Sequence, residues 1–218
     1  VVMNDNGTMV QVAVTDLSAY FDDEITAMPN LVTVGASATA SSIAGVTFFK
    51  ESNSIYTHDV SGTNDAANFN VAFGVTAMDA ITTGDSNVAI GYDALTSNTT
   101  GSENTSVGKS SMNSNTTGIN NTAVGQSAFS QNTTGGHNIG IGANAGYANT
   151  TGTRNIAIGS NAYDLSDTED DNIAIGYNAM TTNTAGGTQN IAIGNYALDA
   201  LTSGDGNVAL GHNAMTTI

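Results

Sequence analysis

Residues 121–137 read Asn-Thr-Ala-Val-Gly-Gln-Ser-Ala-Phe-Ser-Gln-Asn-Thr-Thr-Gly-Gly-His, and variants of this unit fill the chain from residue 70 to residue 218. Its first residue recurs every seventeen residues, with one interval of eighteen, at Asn70, Asn87, Asn104, Asn121, Asn138, Asn155, Asn172, Asn190 and Asn207. A glycine stands four residues after each of these asparagines. A fixed period of about twenty residues is typical of a protein built from stacked repeats.

The segment from asparagine to glycine predicts a short β-strand in every unit. Its second residue is aliphatic in seven units and threonine in two, its third is alanine in seven units, and its fourth is always apolar. This is the period-two alternation of a strand. Because neither face carries charge, we expect both faces to be buried, with the alanine face packed very closely.

The rest of the unit predicts a return to the core followed by a turn. A small residue and a large apolar one come next, as in Ala94-Leu95, and predict a second short strand or a bend. Gly146 interrupts the large apolar column, and Tyr147 is expected to fill the gap. Four units then carry Asn-Thr-Thr-Gly, for which we expect left-handed backbone at Asn and Gly, at residues 98–101, 115–118, 132–135 and 149–152.

These columns predict an all-β fold, a parallel β-roll or β-solenoid of nine repeats over residues 70–218, since a glycine in every turn disfavours helices. Stacking would place the asparagines in a ladder whose amides bond the backbone of the next coil. The predicted ladder comprises Asn87, Asn104, Asn121, Asn138, Asn155, Asn172, Asn190, Gly91, Gly108, Gly125, Gly142, Gly159, Gly176 and Gly194. Few and small core side chains favour an intertwined or laterally packed homotrimer, with a dimer as the alternative.

Residues 1–69 are out of register with the repeat and predict a small mixed adaptor. Residues 9–14 and 31–34 have strand patterns, and a helix capped by Thr15 or Asp16 is expected between them, ending before Pro29. An Ala-, Ser- and Gly-rich connector is expected over 35–45. Two short strands, 46–49 and 54–57, would then lead into the repeats.

The composition excludes several classes of function. Nineteen acidic residues stand against three basic ones, for a net charge of −16. We therefore expect no nucleic-acid partner, because such binding depends on neutralising phosphates with Lys and Arg. No apolar run reaches the roughly 20 residues of a membrane helix, so no membrane insertion is expected in this segment. The start at Val1 and the stop within a repeat suggest a piece of a longer polypeptide.

Side chains that could carry chemistry are scattered. His58, His137 and His212 share no column, so they are expected to be surface residues. The acidic run, which could bind Ca²⁺ but is better explained as a solvated loop, comprises Asp164, Asp167, Glu169, Asp170 and Asp171. No recurring acid pair is present, so we expect no enzyme, no metal and no cofactor. Exposed threonine columns leave ice binding as a minor alternative.

The repeat resembles the head repeats of YadA-type trimeric autotransporter adhesins, through Asn-Val-Ala-Ile-Gly at 87–91 and Asn-Ile-Ala-Ile-Gly at 155–159, 172–176 and 190–194. The longer unit at 121–135 is similar to related repeats of phage tail fibres. The resemblance implies a left-handed, trimeric β-roll in an extracellular fibre. It favours a phage tail fibre on the virion, with other tail or fibre proteins and a host glycan or protein receptor as partners.

The alternative is the head of a bacterial adhesin on the outer surface, which binds host or cell surfaces. In either case, receptor contacts are expected in the column after the core glycine, because that column varies freely and should face solvent. The candidate receptor-facing residues are Tyr92, Lys109, Gln126, Tyr177 and His212.

Overall fold

The computed structural model describes residues 2–3, 9–10, 40–43, 46–51, 54–56, 66–182 and 186–216. All regular structure in these ranges is β, with no helix. The fourteen strands are β1 Val2–Met3, β2 Met9–Val10, β3 Ala40–Ile43, β4 Val46–Glu51, β5 Ser54–Tyr56, β6 Val71–Phe73, β7 Val88–Ile90, β8 Thr105–Val107, β9 Thr122–Val124, β10 Ile139–Ile141, β11 Ile156–Ile158, β12 Ile173–Ile175, β13 Ile191–Ile193 and β14 Val208–Leu210. The chain divides into two compact units, Val1–Phe48 and Phe49–Ile218.

The first unit contains an antiparallel pair, in which β1 runs against β2 with Val2 opposite Val10. Strand β2 covers the beginning of the segment predicted as a strand at 9–14. Strand β3 lies inside the segment 35–45 that was expected to be a connector, so that expectation is wrong for its four residues. The predicted helix before Pro29 and the predicted strand at 31–34 fall outside the described residues.

The second unit is the predicted parallel β-solenoid. Strands β5 to β14 form ten successive parallel neighbours, and each coil pairs with the next at equivalent positions, so that Ala72 pairs with Ala89. The eighteen-residue interval keeps this register, because Ala174 pairs with Ala192. At the N-terminal edge, β4 pairs with β5 in the antiparallel sense. The nine repeat strands, β6 to β14, are separated by eight spacings of about 4.8 Å and so span about 40 Å.

The two faces of the repeat strands have opposite environments. The middle residue points inward and is fully buried, as in Ala89, whereas its neighbours Val88 and Ile90 point outward. The expectation that both faces are buried is therefore wrong for the single chain. Only the small residues fit against the interior of the coil, and the branched aliphatic residues form an outer surface.

The glycine that follows each repeat strand recurs because successive coils approach each other closely at this position. Gly91 has φ +136°, and a Cβ placed on it would lie 2.7 Å from the carbonyl carbon of Gly108 in the next coil. Such a contact is too short for any side chain. A glycine is thus required at this position in every coil that has a successor.

The segment after the glycine is a bend rather than a second strand, which settles the two alternatives that the sequence left open. Asp93 and Leu95 both adopt left-handed φ angles, at +57° and +51°. The backbone nevertheless continues to bond its neighbours: Asp93 N donates to Val75 O (3.1 Å), and Leu95 N donates to Ser111 O (3.1 Å). The turn segment therefore stacks coil on coil as the strand does.

Gly146 interrupts the large apolar column because the preceding coil fills its space. A Cβ on Gly146 would lie 2.7 Å from Phe129 Cδ1, and a Cβ on Gly140 would lie 2.6 Å from Phe129 Cδ2. Phe129 is buried, whereas Tyr147 is 36% exposed. The expectation that Tyr147 fills the gap is wrong, and one phenylalanine accounts for two glycines in the next coil.

Candidate functional site: amide ladders and exposed columns

The asparagine that begins each unit is buried from Asn70 to Asn190 and half-buried at Asn207, and those that have a coil on each side bond both neighbours. Asn121 N donates to Asn104 Oδ1 (3.0 Å), and Asn121 Oδ1 accepts the N–H of Asn138 (2.9 Å). Asn121 Nδ2 donates to Gly135 O (2.8 Å), which closes the turn of its own coil. The link from each Oδ1 to the next backbone N–H runs without a gap from Asn70 to Asn207.

This geometry explains why no other residue type occupies the column. The site needs one acceptor for the next coil and one donor for the turn carbonyl, and an amide supplies both. An ionised aspartate would place an acceptor against the carbonyl of Gly135, and serine is too short to make both bonds. The same geometry makes the ladder a structural element rather than a ligand site, because its polar atoms bond the protein itself.

A second amide ladder runs through the Asn-Thr-Thr-Gly turns, and the sequence did not predict it. Asn115 Nδ2 donates to Asn98 Oδ1 (2.9 Å) and to Gly118 O (3.2 Å). Asn132 and Asn149 repeat the bond to the preceding coil at 2.8 and 3.0 Å. Each of these four turns contains Asn-Thr-Thr, which matches the N-glycosylation pattern Asn-x-Thr. All four asparagines are buried, so their side chains are not accessible to a glycan.

The expected left-handed backbone at these turn residues is wrong. In the coil that begins at Asn87, the non-glycine residues with positive φ are Asp93, Leu95 and Glu103. Asn98 and Gly101 are not among the positive-φ residues of that coil. Gly101 is required instead by space, because a Cβ there would lie 3.0 Å from Asn115 Nδ2 and still closer to other atoms.

The second ladder ends where the acidic run begins. Asn149 Oδ1 is buried and accepts no hydrogen bond from the described residues. In the following coil Glu169 replaces the turn glycine and is only 3% exposed. Its carboxylate accepts the N–H groups of Asp167 (3.0 Å), Thr168 (3.1 Å) and Gly186 (3.0 Å). The run is therefore not simply a solvated loop, since Glu169 is an internal anchor.

Tyr163 occupies, in the same coil, the position that holds a large apolar residue in most other coils. Its hydroxyl is buried among the hydrogen bonds around Glu169. It donates to Glu169 O (3.3 Å) and accepts from Asn172 Nδ2 (2.8 Å). Burial raises the pKa of Tyr163 well above its usual value. The hydroxyl therefore serves as a fixed neutral hydrogen-bonding group that ties three segments together.

On the surface beside this coil, Arg154 forms a bidentate pair with Asp171. Arg154 Nε lies 2.5 Å from Asp171 Oδ1, and the second nitrogen of the guanidinium donates to Asp171 Oδ2 (2.9 Å). The hydrogen bond from Arg154 is the main cause that lowers the pKa of Asp171. This pair links two coils, in contrast to the uncharged contacts along most of the solenoid.

Two outward columns of the sheet carry half of the exposed large apolar side chains in the described ranges. They consist of the residues on either side of the buried alanine, eighteen positions in nine rows, and none is charged. The members that are at least 37% exposed are Val71, Phe73, Ile90, Val124, Ile139, Ile141, Ile193, Val208 and Leu210. We call these two columns the aliphatic face.

The column after the core glycine lies next to the aliphatic face. All five candidate receptor-facing residues are exposed here, namely Tyr92, Lys109, Gln126, Tyr177 and His212. They do not form one cluster, because they are distributed over coils along the stack. The structure does bring Tyr177 and His212 close to one aromatic residue that sequence reasoning missed, Tyr196, whose ring lies between theirs.

The remaining polar side chains of the described ranges do not come together in a cluster that could bind a metal ion. His137 and His212 are exposed as expected, while His58 lies outside those ranges. No group of three or more His, Asp or Glu residues there could hold a metal ion. The first threonine of each turn pair bonds the next coil, as Thr99 Oγ1 does with Thr116 O (3.1 Å), which leaves only the second, exposed threonine column to face water.

No helix in the part of the chain that the structure describes has the length and apolar character needed to span a membrane. Comparison of the chain with protein-family models, with curated proteins and with solved structures found no match in any of the three.

Proposed function

We propose that this chain is a structural and adhesive segment of an extracellular fibre, most simply a phage tail fibre, in which three copies pack together and support or perform attachment to a host receptor. Its partners are two further copies of itself, neighbouring fibre or tail proteins, and a surface glycan or protein receptor. We propose no enzymatic activity and no cofactor.

The aliphatic face is the observation that carries this proposal. It leaves an uncharged, mostly branched apolar surface, interrupted by Thr105 and Thr122, exposed or half-exposed on the single chain, and such patches mark interaction sites. Its eighteen side chains come close to the roughly 20–30 residues per side of a standard interface. Packing around an axis parallel to the stack would bring identical rows together at one height, which suits a threefold arrangement.

The two ladders support the fibre role. Every coil is joined to the next by backbone bonds and by buried amides, so the stack can transmit load along its length. A surface made mainly of Asn, Thr, Ser and Gly, with only 10% charged residues, is suited to hydrogen-bonding contact with a receptor.

The assembly is tested by light scattering and native mass spectrometry of the protein and of an Ile141→Lys, Ile158→Lys variant. A trimer that the double substitution dissociates supports the proposal, because buried lysines would lack partners. The double variant Gln126→Lys, Ala143→Lys is the matched control, since it adds the same two charges at exposed sites outside the aliphatic face. A stable wild-type monomer would refute the assembly.

Attachment is tested by measuring how the labelled wild-type protein binds to bacterial envelopes and, separately, to extracellular-matrix proteins. Saturable envelope binding supports the tail-fibre role, whereas binding to matrix alone supports the adhesin alternative. Failure to bind either surface would leave a spacer role and contradict direct attachment by this segment.

A further inference from the structure

Three aromatic side chains lie in contact on the surface of three successive coils near the C-terminal end. The ring centroids of Tyr177 and Tyr196 are 5.4 Å apart with the rings nearly perpendicular, and those of Tyr196 and His212 are 6.0 Å apart in a similar arrangement. Tyr177 and His212 are exposed, and Tyr196 is half-buried between them. We call these three residues the aromatic row.

The row differs from the other aromatic position in the same column. Tyr92 is also exposed, but its column neighbours in the adjoining coils are Val75 and Lys109. Tyr92 therefore offers a single ring, whereas the row offers adjacent aromatic surface on three coils. Tyr177 and His212 are two coil spacings apart, which is about 10 Å, so a ligand that contacts both must be longer than one small ring.

Two fixed amides border the row. Asn195 Oδ1 accepts the backbone N–H of Tyr177 (3.0 Å), and Asn178 Oδ1 accepts from Asn161 Nδ2 (3.2 Å). Both oxygens are thereby held in place, while the amide nitrogens of Asn178 and Asn195 donate to none of the described residues. Aromatic faces beside available N–H donors are the combination that suits the apolar faces and hydroxyl groups of a sugar.

The absence of charged groups from the row indicates whether its sugar ligand is charged or neutral. None of its three rings or two bordering amides carries a carboxylate or a fixed cation, and Lys109 and Arg154 belong to earlier coils. An acidic glycan would find no cationic partner here and would meet a chain of net charge −16. We infer that the aromatic row binds an uncharged oligosaccharide, which contacts Tyr177, Tyr196 and His212 through its apolar faces and accepts hydrogen bonds from Asn178 and Asn195.

This inference rests on the attachment function proposed above and names its ligand class. Its test uses substitutions that other coils already carry in the same columns: Tyr177→Ser, Tyr196→Asn and His212→Gln. The asparagine is compatible with the left-handed backbone at 196, because Asn178 adopts φ +51° at the equivalent position. Tyr92→Ser is the matched control, since it removes a lone ring from the same column.

The assembled protein is titrated with cellohexaose, maltohexaose and mannohexaose, and with hexagalacturonate as the acidic probe, by calorimetry and tyrosine fluorescence. We expect at least one uncharged hexasaccharide to bind, and Tyr196→Asn to weaken that binding about tenfold, equivalent to about 1.4 kcal/mol. Tyr92→Ser should leave it unchanged.

Absence of saturable binding of any uncharged probe at millimolar concentration would overturn the inference. So would equal losses in the Tyr92→Ser and Tyr196→Asn proteins, or a preference for hexagalacturonate. Envelope binding by the same variants separates the two proposals. If the wild-type protein and all row variants bind envelopes equally, attachment stands and the row fails; if the oligosaccharide binds but no envelope does, the row stands and attachment fails.

Discussion

Replacing Asn121 with alanine is expected to destabilise the solenoid strongly, although it removes only a small polar side chain. The substitution leaves the buried N–H of Asn138 without its acceptor, Asn121 Oδ1 at 2.9 Å. It also removes one of the two donors to Gly135 O, the Nδ2 at 2.8 Å, while Asn132 Nδ2 at 3.0 Å remains. The unsatisfied N–H costs about 1–3 kcal/mol and the lost hydrogen bond about 0.5–1.5 kcal/mol, so the free energy of unfolding should fall by about 1.5–4.5 kcal/mol.

The same position allows a test of the donor alone. Asn121→Asp keeps an acceptor for Asn138 but, when ionised, places negative charge against Gly135 O, so its stability should recover as the pH is lowered and the carboxyl gains a proton. Gln126→Ala is the control in the same coil, because Gln126 is exposed and lies outside the ladder.

Urea unfolding followed by circular dichroism gives the free energies, and hydrogen exchange of the Asn138 amide reports the local bond. Because repeat arrays can unfold in parts, the exchange rate serves as the site-specific measurement. A loss below about 1 kcal/mol together with an unchanged Asn138 exchange rate would refute the claim that the ladder stabilises the stack.

Three further predictions concern single contacts. Phe129→Ala should lower the free energy of unfolding by about 3–5 kcal/mol, and adding Gly146→Met should restore part of that loss. If urea unfolding shows that the effects of the two substitutions simply add, the packing of Phe129 against Gly146 is contradicted. Glu169→Ala should destabilise more than Glu169→Gln, because it leaves three backbone N–H groups without an acceptor, and equal unfolding midpoints would count against that role. Arg154→Ala should raise the pKa of Asp171, which carboxyl NMR follows. Because the pKa of Asp171 is lowered in the folded state, the pair stabilises the fold at pH values above the unfolded-state pKa, and this stabilisation is lost as the pH falls through the folded-state pKa. An unchanged Asp171 titration in the Arg154→Ala protein would exclude the link.

Periodicity alone was sufficient to predict the stacked parallel fold. Residues one unit apart occupy equivalent positions, so the columns of the sequence became the columns of the structure, including Ala72 opposite Ala89. The eighteen-residue interval did not disturb this, because the extra residue falls between strands.

The orientation of the strand faces could not be predicted from the same columns. Both faces lack charge, and apolar character does not by itself require burial, since apolar atoms make up much of any protein surface. The deciding quantity is the width of the coil interior, which accepts Ala89 and excludes Ile90. That width depends on the bend at Asp93 and Leu95. The left-handed backbone of this bend could not be predicted, because aspartate and leucine do not by themselves indicate it.

The candidate surface was only partly predictable for a related reason. Tyr177 and His212 were found because they stand in a variable column. Tyr196 was missed because it lies one position later in its unit, in a column occupied elsewhere by small polar residues. Contact between neighbouring columns of adjacent coils is a three-dimensional property, and one sequence shows each column separately.

The packing of Phe129 against Gly140 and Gly146 bears on how such a chain can change length by duplication or loss of whole units in its gene. Removing residues 138–154 would set the Phe129 ring against Ala157 and Tyr163 of the new neighbour, and removing 121–137 would set the thinner Met112 against the two glycines in place of the ring. These two units can therefore be gained or lost only as a pair, while units without such a pairing can be exchanged singly.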